Sequence, residues 1–166
     1  MTSLLSLRVV IASVAIAAMT RCEAPLVPLP REGPPDELRF SYGGFAIDGV
    51  TVELQGSSVA MWRTPWNWQP GVTIDTVRAV PTEDQWREFW AAAERAGVQR
   101  WLPRYMAEGV VDGSGWSLRL AGGDFDLTST GSNAYPDRRG VEHELEMTEE
   151  FRSLRTALGN LVGEEI

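Results

Sequence analysis

The loop spanning residues 62–71 combines three tryptophans with polar side chains and two prolines. Trp62, Trp66 and Trp68 supply flat apolar rings, and the Arg, Asn and Gln residues between and beside them supply hydrogen-bonding groups. Such rings stack on sugars, peptides or the loop of another protein, and Trp is enriched at binding hot spots. The loop therefore predicts a binding surface. The alternative is that Trp66 and Trp68 fold back to cover the open end of a sheet.

A second candidate site combines Asp112 with the segment GSNAYP at residues 131–136. In the functional interpretation, Ser132, Asn133 and Asp112 line a polar pocket beside Tyr105 and Tyr135. In the structural interpretation, the segment is a turn, because Gly and Asn tolerate positive φ and an Asn side chain can close an Asx-turn. The residue types favour the turn, and the pocket remains the alternative.

The charged and reactive residues exclude several classes of function. The chain has 15 basic and 23 acidic residues and a net charge of −8, so no nucleic-acid partner is expected. A single Cys and a single His provide neither a disulfide framework nor a two-histidine zinc site. We therefore predict no metal, no cofactor and no catalytic residue. A carboxylate-dependent hydrolase is an alternative, and its candidate acids are Asp112, Asp124, Asp126 and Asp137.

The N-terminal residues have the features of an export signal. Residues 4–19 are almost entirely apolar, which predicts a signal peptide or an N-terminal anchor over residues 1–21. Cys22 follows at the place where bacterial lipoproteins carry the lipidated cysteine, although Arg21 before it departs from the usual small residue. The alternative is an ordinary signal peptide that leaves Cys22 incidental. We expect an exported protein, periplasmic or on the outer surface, that contacts a membrane only through this segment or a lipid.

The elements that must position these residues form one domain over residues 37–163. Residues 22–36 contain five prolines and predict an extended tether. Alternating apolar residues predict strands at 38–42, 50–54, 59–63 and 72–80 and a hairpin over 115–130. A capping box at Thr82 and the apolar stripe of Trp86, Phe89 and Trp90 predict a helix from Thr82 to Gly97. A second helix is predicted over residues 149–161. This order indicates an α+β fold, with an antiparallel sheet of about five to six strands and two amphipathic helices on one face.

Three motifs give the chain a resemblance to other proteins. They are W-x-x-F-W at Trp86–Trp90, D-G-x-x-W at Asp112–Trp116 and G-S-N-A-Y-P at residues 131–136. The sequence resembles a group of uncharacterised bacterial domains, many of them exported. The resemblance implies no activity.

These observations favour a non-enzymatic, exported binding domain of the bacterial cell envelope. Its contact surface would be the tryptophan loop, and its partner an envelope protein, a peptide or a glycan. Two alternatives are the carboxylate-dependent hydrolase and a structural envelope protein without a discrete site.

Overall fold

The structure is a computed structural model that describes residues 26–69, 74–110 and 112–166. It contains nine strands, two α-helices and one short 3₁₀ turn in its described part. In chain order they are β1 (Glu37–Gly44), β2 (Ile47–Gln55), β3 (Ser58–Thr64), β4 (Thr76–Ala79), α1 (Glu83–Arg95), the 3₁₀ turn (Val98–Arg100), β5 (Arg104–Met106), β6 (Ser114–Gly122), β7 (Phe125–Ser132), β8 (Ala134–Pro136), β9 (Glu142–Glu144) and α2 (Glu149–Asn160).

Seven of the strands form one sheet in the order β4-β3-β2-β1-β6-β7-β5. All neighbours are antiparallel except β5, which runs parallel to β7, and β8 pairs with β9 in a separate two-stranded sheet. The predicted α+β class is confirmed, with more strands than expected. The additional strands β5, β8 and β9 have three residues each, which is too short for an alternating pattern to show in the sequence.

The two faces of the sheet differ in polarity. Leu38, Phe40 and Leu118 are buried on the face that the helices cover. Arg39 and Arg119 alternate with them on the opposite face, where Arg39 binds Glu53 at 3.1 Å. This alternation has the two-residue period of a strand with one buried side, and it explains why the sequence pattern was readable.

The helix α1 begins where the sequence predicts it. The Thr82 side chain accepts a hydrogen bond from the Gln85 amide at 3.2 Å, and the Gln85 side chain accepts one from the Thr82 amide at 2.9 Å. This capping box satisfies two amides at the helix start. The residues Trp86, Phe89 and Trp90 are buried on one side of the helix. Trp90 lies against Gly122 of β6, and Phe151 of α2 lies 6.1 Å from Phe40, so both helices cover the same face.

The N-terminal segment packs against the domain over its described part. Leu29 and Pro35 are buried, and the Trp90 indole donates a hydrogen bond to the carbonyl of Gly33 at 2.9 Å. The predictions for residues 1–21, for Cys22 and for the tether up to residue 25 lie outside the described residues. Within the described ranges, no helix has the length and apolar character required to cross a bilayer.

The two ends of the sheet carry different structures. Pro30 lies against Gly122 at the end where β1 begins. At the other end lie the β1–β2 turn at Phe45 and Ala46, the loop after β3 and residues 112–114, where β6 begins. We call this second end the tip.

Candidate functional site

Phe45 is exposed at the tip on a turn with a strained backbone. Its side chain is 67% exposed, and its amide donates a hydrogen bond to the carbonyl of Gly113 at 2.9 Å. The next residue, Ala46, has a φ of 55°, a left-handed conformation that costs a non-glycine residue about 1–2 kcal/mol. Such strain persists only where the surrounding structure holds it, and it is found more often at functional sites.

The tryptophans Trp66 and Trp68 are the most exposed indoles of the described chain. Their exposed fractions are 58% and 43%, and the Trp66 ring centroid lies 6.4 Å from that of Phe45. The loop is held by hydrogen bonds from its main-chain amides: the Trp66 amide donates to the side-chain carboxylate of Asp48 at 3.1 Å, and the Trp68 amide donates to the Pro65 carbonyl at 2.9 Å. We call Phe45, Trp66 and Trp68 the aromatic tip.

The third predicted tryptophan lies elsewhere. Trp62 is within β3, half-buried, and pairs with Thr51 and Thr76 on the polar face of the sheet. The structure therefore does not group Trp62 with the other two. Phe45 takes part instead, although the sequence pattern did not predict it. A signal for it existed, because an aromatic residue directly after Gly43 and Gly44 stands in a hairpin turn where its ring has no strand partner.

Asn133 of the GSNAYP segment joins three parts of the chain beneath the tip. It has a φ of 52° and is 8% exposed. Its amide donates to the Ser114 carbonyl and its side-chain oxygen accepts from the Ser114 amide, both at 2.8 Å. Its side-chain nitrogen donates to the Asp112 carbonyl at 3.3 Å, and its own carbonyl accepts from the Leu145 amide at 2.6 Å. Asn133 thus positions the loop that binds Phe45.

The other residues of the predicted polar pocket lie around Asn133 in different environments. Asp112 and Ser132 are exposed, whereas Tyr135 is buried and its hydroxyl is hydrogen-bonded to Ser114. Burial raises the pKa of Tyr135, and the hydrogen bond with Ser114 offsets part of that rise. The polar atoms of Asn133 and Tyr135 are therefore occupied by β6 and its preceding loop. This arrangement supports the structural interpretation of the segment.

Two of the candidate acids, Asp126 at the end of the sheet opposite the tip and Asp137, are held ionised by local partners. Asp126 is paired with Arg119, and this pairing outweighs a small desolvation effect and lowers the pKa of Asp126. For Asp137, desolvation raises the pKa, but hydrogen bonds from the Val141 and Arg139 amides outweigh it, and the pKa falls to about 2. A general acid at neutral pH requires a raised pKa, so neither carboxylate has the property that the hydrolase alternative needs of its acid.

Metal-ligating clusters and surface grooves are the other kinds of site to consider in the described residues. No group of three or more His, Cys, Asp or Glu side chains is placed to hold a metal ion across residues 26–69, 74–110 and 112–166. Shallow grooves run between α1 and α2 and beside the C-terminal residues, where Gln85, Glu88, Thr156 and Asn160 line both. The aromatic tip contributes to neither groove, so it presents a surface rather than a cavity.

Comparison with known proteins assigns no function to the chain. No protein-family model matches the chain, and no curated protein matches it either.

Proposed function

We propose that the protein is a binding domain whose contact surface is the aromatic tip. The observation that carries this proposal is the exposure of Phe45, Trp66 and Trp68, at 67%, 58% and 43%, in a chain whose other aromatic residues are buried or half-buried. Exposed aromatic clusters mark contact sites because water is released when a partner covers them. The hydrogen bonds from the Trp66 and Phe45 amides reduce the ordering cost of binding.

The chemistry of the tip suits a partner with an apolar or flat surface and hydrogen-bonding groups around it. Asn67 and Gln69 are exposed between and beside the rings, and Asp48 is exposed beneath Trp66. A protein loop, a peptide or the apolar face of a sugar fits this combination. No catalytic step is part of the proposal.

The test compares crosslinking of the native protein and of a tip variant in cells. A double variant, Trp66→Ala with Trp68→Ala, should lose the crosslinked partner, while Trp62→Ala serves as the matched control for loss of an indole outside the tip. The same variants are assayed against a panel of envelope glycans, which separates a sugar from a protein partner. If the double variant retains every adduct and every glycan signal of the native protein, the tip is not the contact surface.

We also propose that the domain is exported, with Cys22 as a lipid attachment site. The apolar residues 4–19 and the position of Cys22 support this proposal. Because Pro30 packs at the end of the sheet opposite the tip, an anchored domain would hold the aromatic tip on the side away from its attachment. The eight residues of β1 alone separate the two ends by roughly 25 Å.

The export proposal is tested by the intact mass of the protein recovered from membrane and soluble fractions of a bacterial host. A lipid-sized mass increase that is absent from a Cys22→Ser variant would establish lipidation. A shortened chain without lipid would show export with an incidental Cys22. A full-length chain in the cytoplasm would disprove both.

A further inference from the structure

A row of side chains crosses the helix-covered face just inside the tip. By strand register, Arg63 of β3 is next to Val50 of β2, Val50 is next to Tyr42 of β1, and Tyr42 is next to Trp116 of β6. Arg155 of α2 lies above this row, with its guanidinium carbon 4.3 Å from the centroid of the Tyr42 ring. Arg155 thus contacts the aromatic ring directly, and Arg63 lies two strands away in the same row. The geometry of Arg155 over Tyr42 is a cation–π contact, which orients the guanidinium.

Most of the hydrogen-bonding capacity of Arg155 is unused. Its one hydrogen bond in the described residues runs from Nη1 to the thioether sulfur of Met147 at 3.3 Å, and a thioether is a weak acceptor. Its Nε is buried and has no partner among the described residues. Native proteins pair nearly all buried polar groups, so the described partners of Arg155 leave the cost of burying its guanidinium largely uncompensated.

Neither arginine of this row has an acidic partner. The salt bridges within the described ranges include neither Arg63 nor Arg155, although the chain has 23 acidic residues for 15 arginines. Arg63 donates to the main-chain carbonyl of Glu165. Desolvation lowers the pKa of Arg155, and the charge of Arg63 lowers it further. The hydroxyl groups of Tyr42 and Tyr135 act in the opposite direction. An unpaired, partly desolvated cation beside another cation is costly unless an anion offsets the charge.

We propose that Arg63 and Arg155, together with the ring of Tyr42, form a binding site for an oxyanion, either a carboxylate or a phosphate group. Guanidinium groups bind both anions through paired N–H donors. The site is reachable, since Arg63 is exposed and Tyr42 and Arg155 are half-buried. The site lies close to the aromatic tip, because Phe45 follows Tyr42 and Trp66 follows Arg63, each by three positions. The site stands independently of the binding function proposed for the tip.

The direct probe is the Nε–Hε resonance of Arg155 in a ¹⁵N–¹H spectrum of the full chain. The protein is titrated with sodium phosphate and, separately, with sodium acetate, and sodium chloride at matched ionic strength serves as the blank. We expect a saturable shift with at least one of the two oxyanions and none with chloride. The two titrations separate a phosphate ligand from a carboxylate ligand.

Variants assign the effect to the proposed residues. Arg63→Gln should weaken the apparent affinity about tenfold, because it removes one charge-assisted hydrogen-bonding partner. Arg152→Gln is the matched control: Arg152 is exposed on the same helix, pairs with Glu149 at 3.2 Å and should leave the affinity unchanged. Arg155→Met, which keeps an unbranched side chain over Tyr42, should abolish the binding, read from the amides of β1.

Three results would overturn the proposal. They are a shift that grows linearly with ionic strength, an equal shift in chloride, and an equal loss of affinity in Arg152→Gln. The double variant Trp66→Ala with Trp68→Ala should bind the oxyanion as the native protein does, so a failure of the aromatic tip and a failure of this site are distinguishable.

Discussion

Two groups of aromatic residues in this protein have similar composition and opposite environments. The interior group, which lies between the sheet and α2, consists of Trp101, Tyr105, Trp116, Tyr135 and Phe151. The aromatic tip lies beyond the strand ends. Inside, the Trp116 and Phe151 centroids are 4.9 Å apart, and the Trp116 indole donates to the Ala134 carbonyl at 2.8 Å. At the tip, the one close ring pair in the described residues is Phe45 with Trp66, at 6.4 Å. The interior rings stabilise the fold, whereas the tip rings leave apolar area to water.

The interior group should show the largest effect on stability. Trp116→Ala removes a buried ring that contacts Trp101, Tyr105 and Phe151, so we expect a loss of about 3–5 kcal/mol in the free energy of unfolding. Denaturant unfolding followed by circular dichroism measures it. Trp116→Phe, which retains most of the buried area, should lose less than half as much. A loss below about 1 kcal/mol for the alanine variant would contradict the assignment of this ring to the core.

Asn133 connects the two regions, and its replacement should have the next largest effect. Asn133→Ala loses the side-chain hydrogen bonds with the Ser114 amide and the Asp112 carbonyl and places alanine at a φ of 52°, so we expect a loss of about 2 kcal/mol in the free energy of unfolding. Asn133→Gly removes the same hydrogen bonds without the backbone strain, so it should be less damaging. Thermal unfolding of both variants measures the difference. Equal losses would show that the left-handed conformation contributes nothing.

The pH dependence of stability tests the contribution of Asp137, which lies near the interior group. Its pKa in the folded state is about 2, below the ordinary value of 3.8, so its stabilising contribution is complete above about pH 4. As the pH falls from about 4 to 2, the folded state loses about 1–2 kcal/mol from this group. Asp137→Asn should remove that part of the pH dependence, as measured by urea unfolding at several pH values. An unchanged pH profile in Asp137→Asn would refute the role.

The aromatic tip should show the smallest effect on stability. Trp66→Ala and Trp68→Ala should each change the free energy of unfolding by less than about 0.5 kcal/mol, because both rings are already largely in water. The measurement is the same denaturant unfolding used for Trp116→Ala, which places both groups on one scale. A loss comparable to that of the interior variant would mean that the tip rings roof the core, and the comparison would fail.

The elements with long periodic patterns were predictable. The stripe of Trp86, Phe89 and Trp90 and the capping box at Thr82 predicted α1, and the alternation around Leu118 predicted β6 and β7. Of the strand predicted over residues 72–80, the structure has only Thr76–Ala79, and part of that prediction lies outside the described residues. Three-residue strands such as β5 form because their neighbours offer hydrogen-bonding groups, and that information lies far away in the chain.

The candidate sites were predictable only in part, for the same reason. The tryptophan loop was identified from composition, but Trp62 belongs to β3 and Phe45 joins the loop from another hairpin. Nothing in the sequence near Arg155 indicates that its guanidinium meets Tyr42, which is more than 100 positions earlier. Contacts of this kind depend on which strands become neighbours.

By itself, the sequence determined the α+β class, the start of α1 and the side of each long strand that is buried. These follow from local propensity and from the periods of 3.6 and 2 residues, which any segment carries independently of its partners. Only the tertiary structure decided which aromatic rings are exposed, what Asn133 joins, and that Arg155 lies over the ring of Tyr42 without a carboxylate partner among the described residues. Burial and charge pairing are properties of the assembled sheet and helices, because they depend on distances between residues that the chain order leaves unspecified.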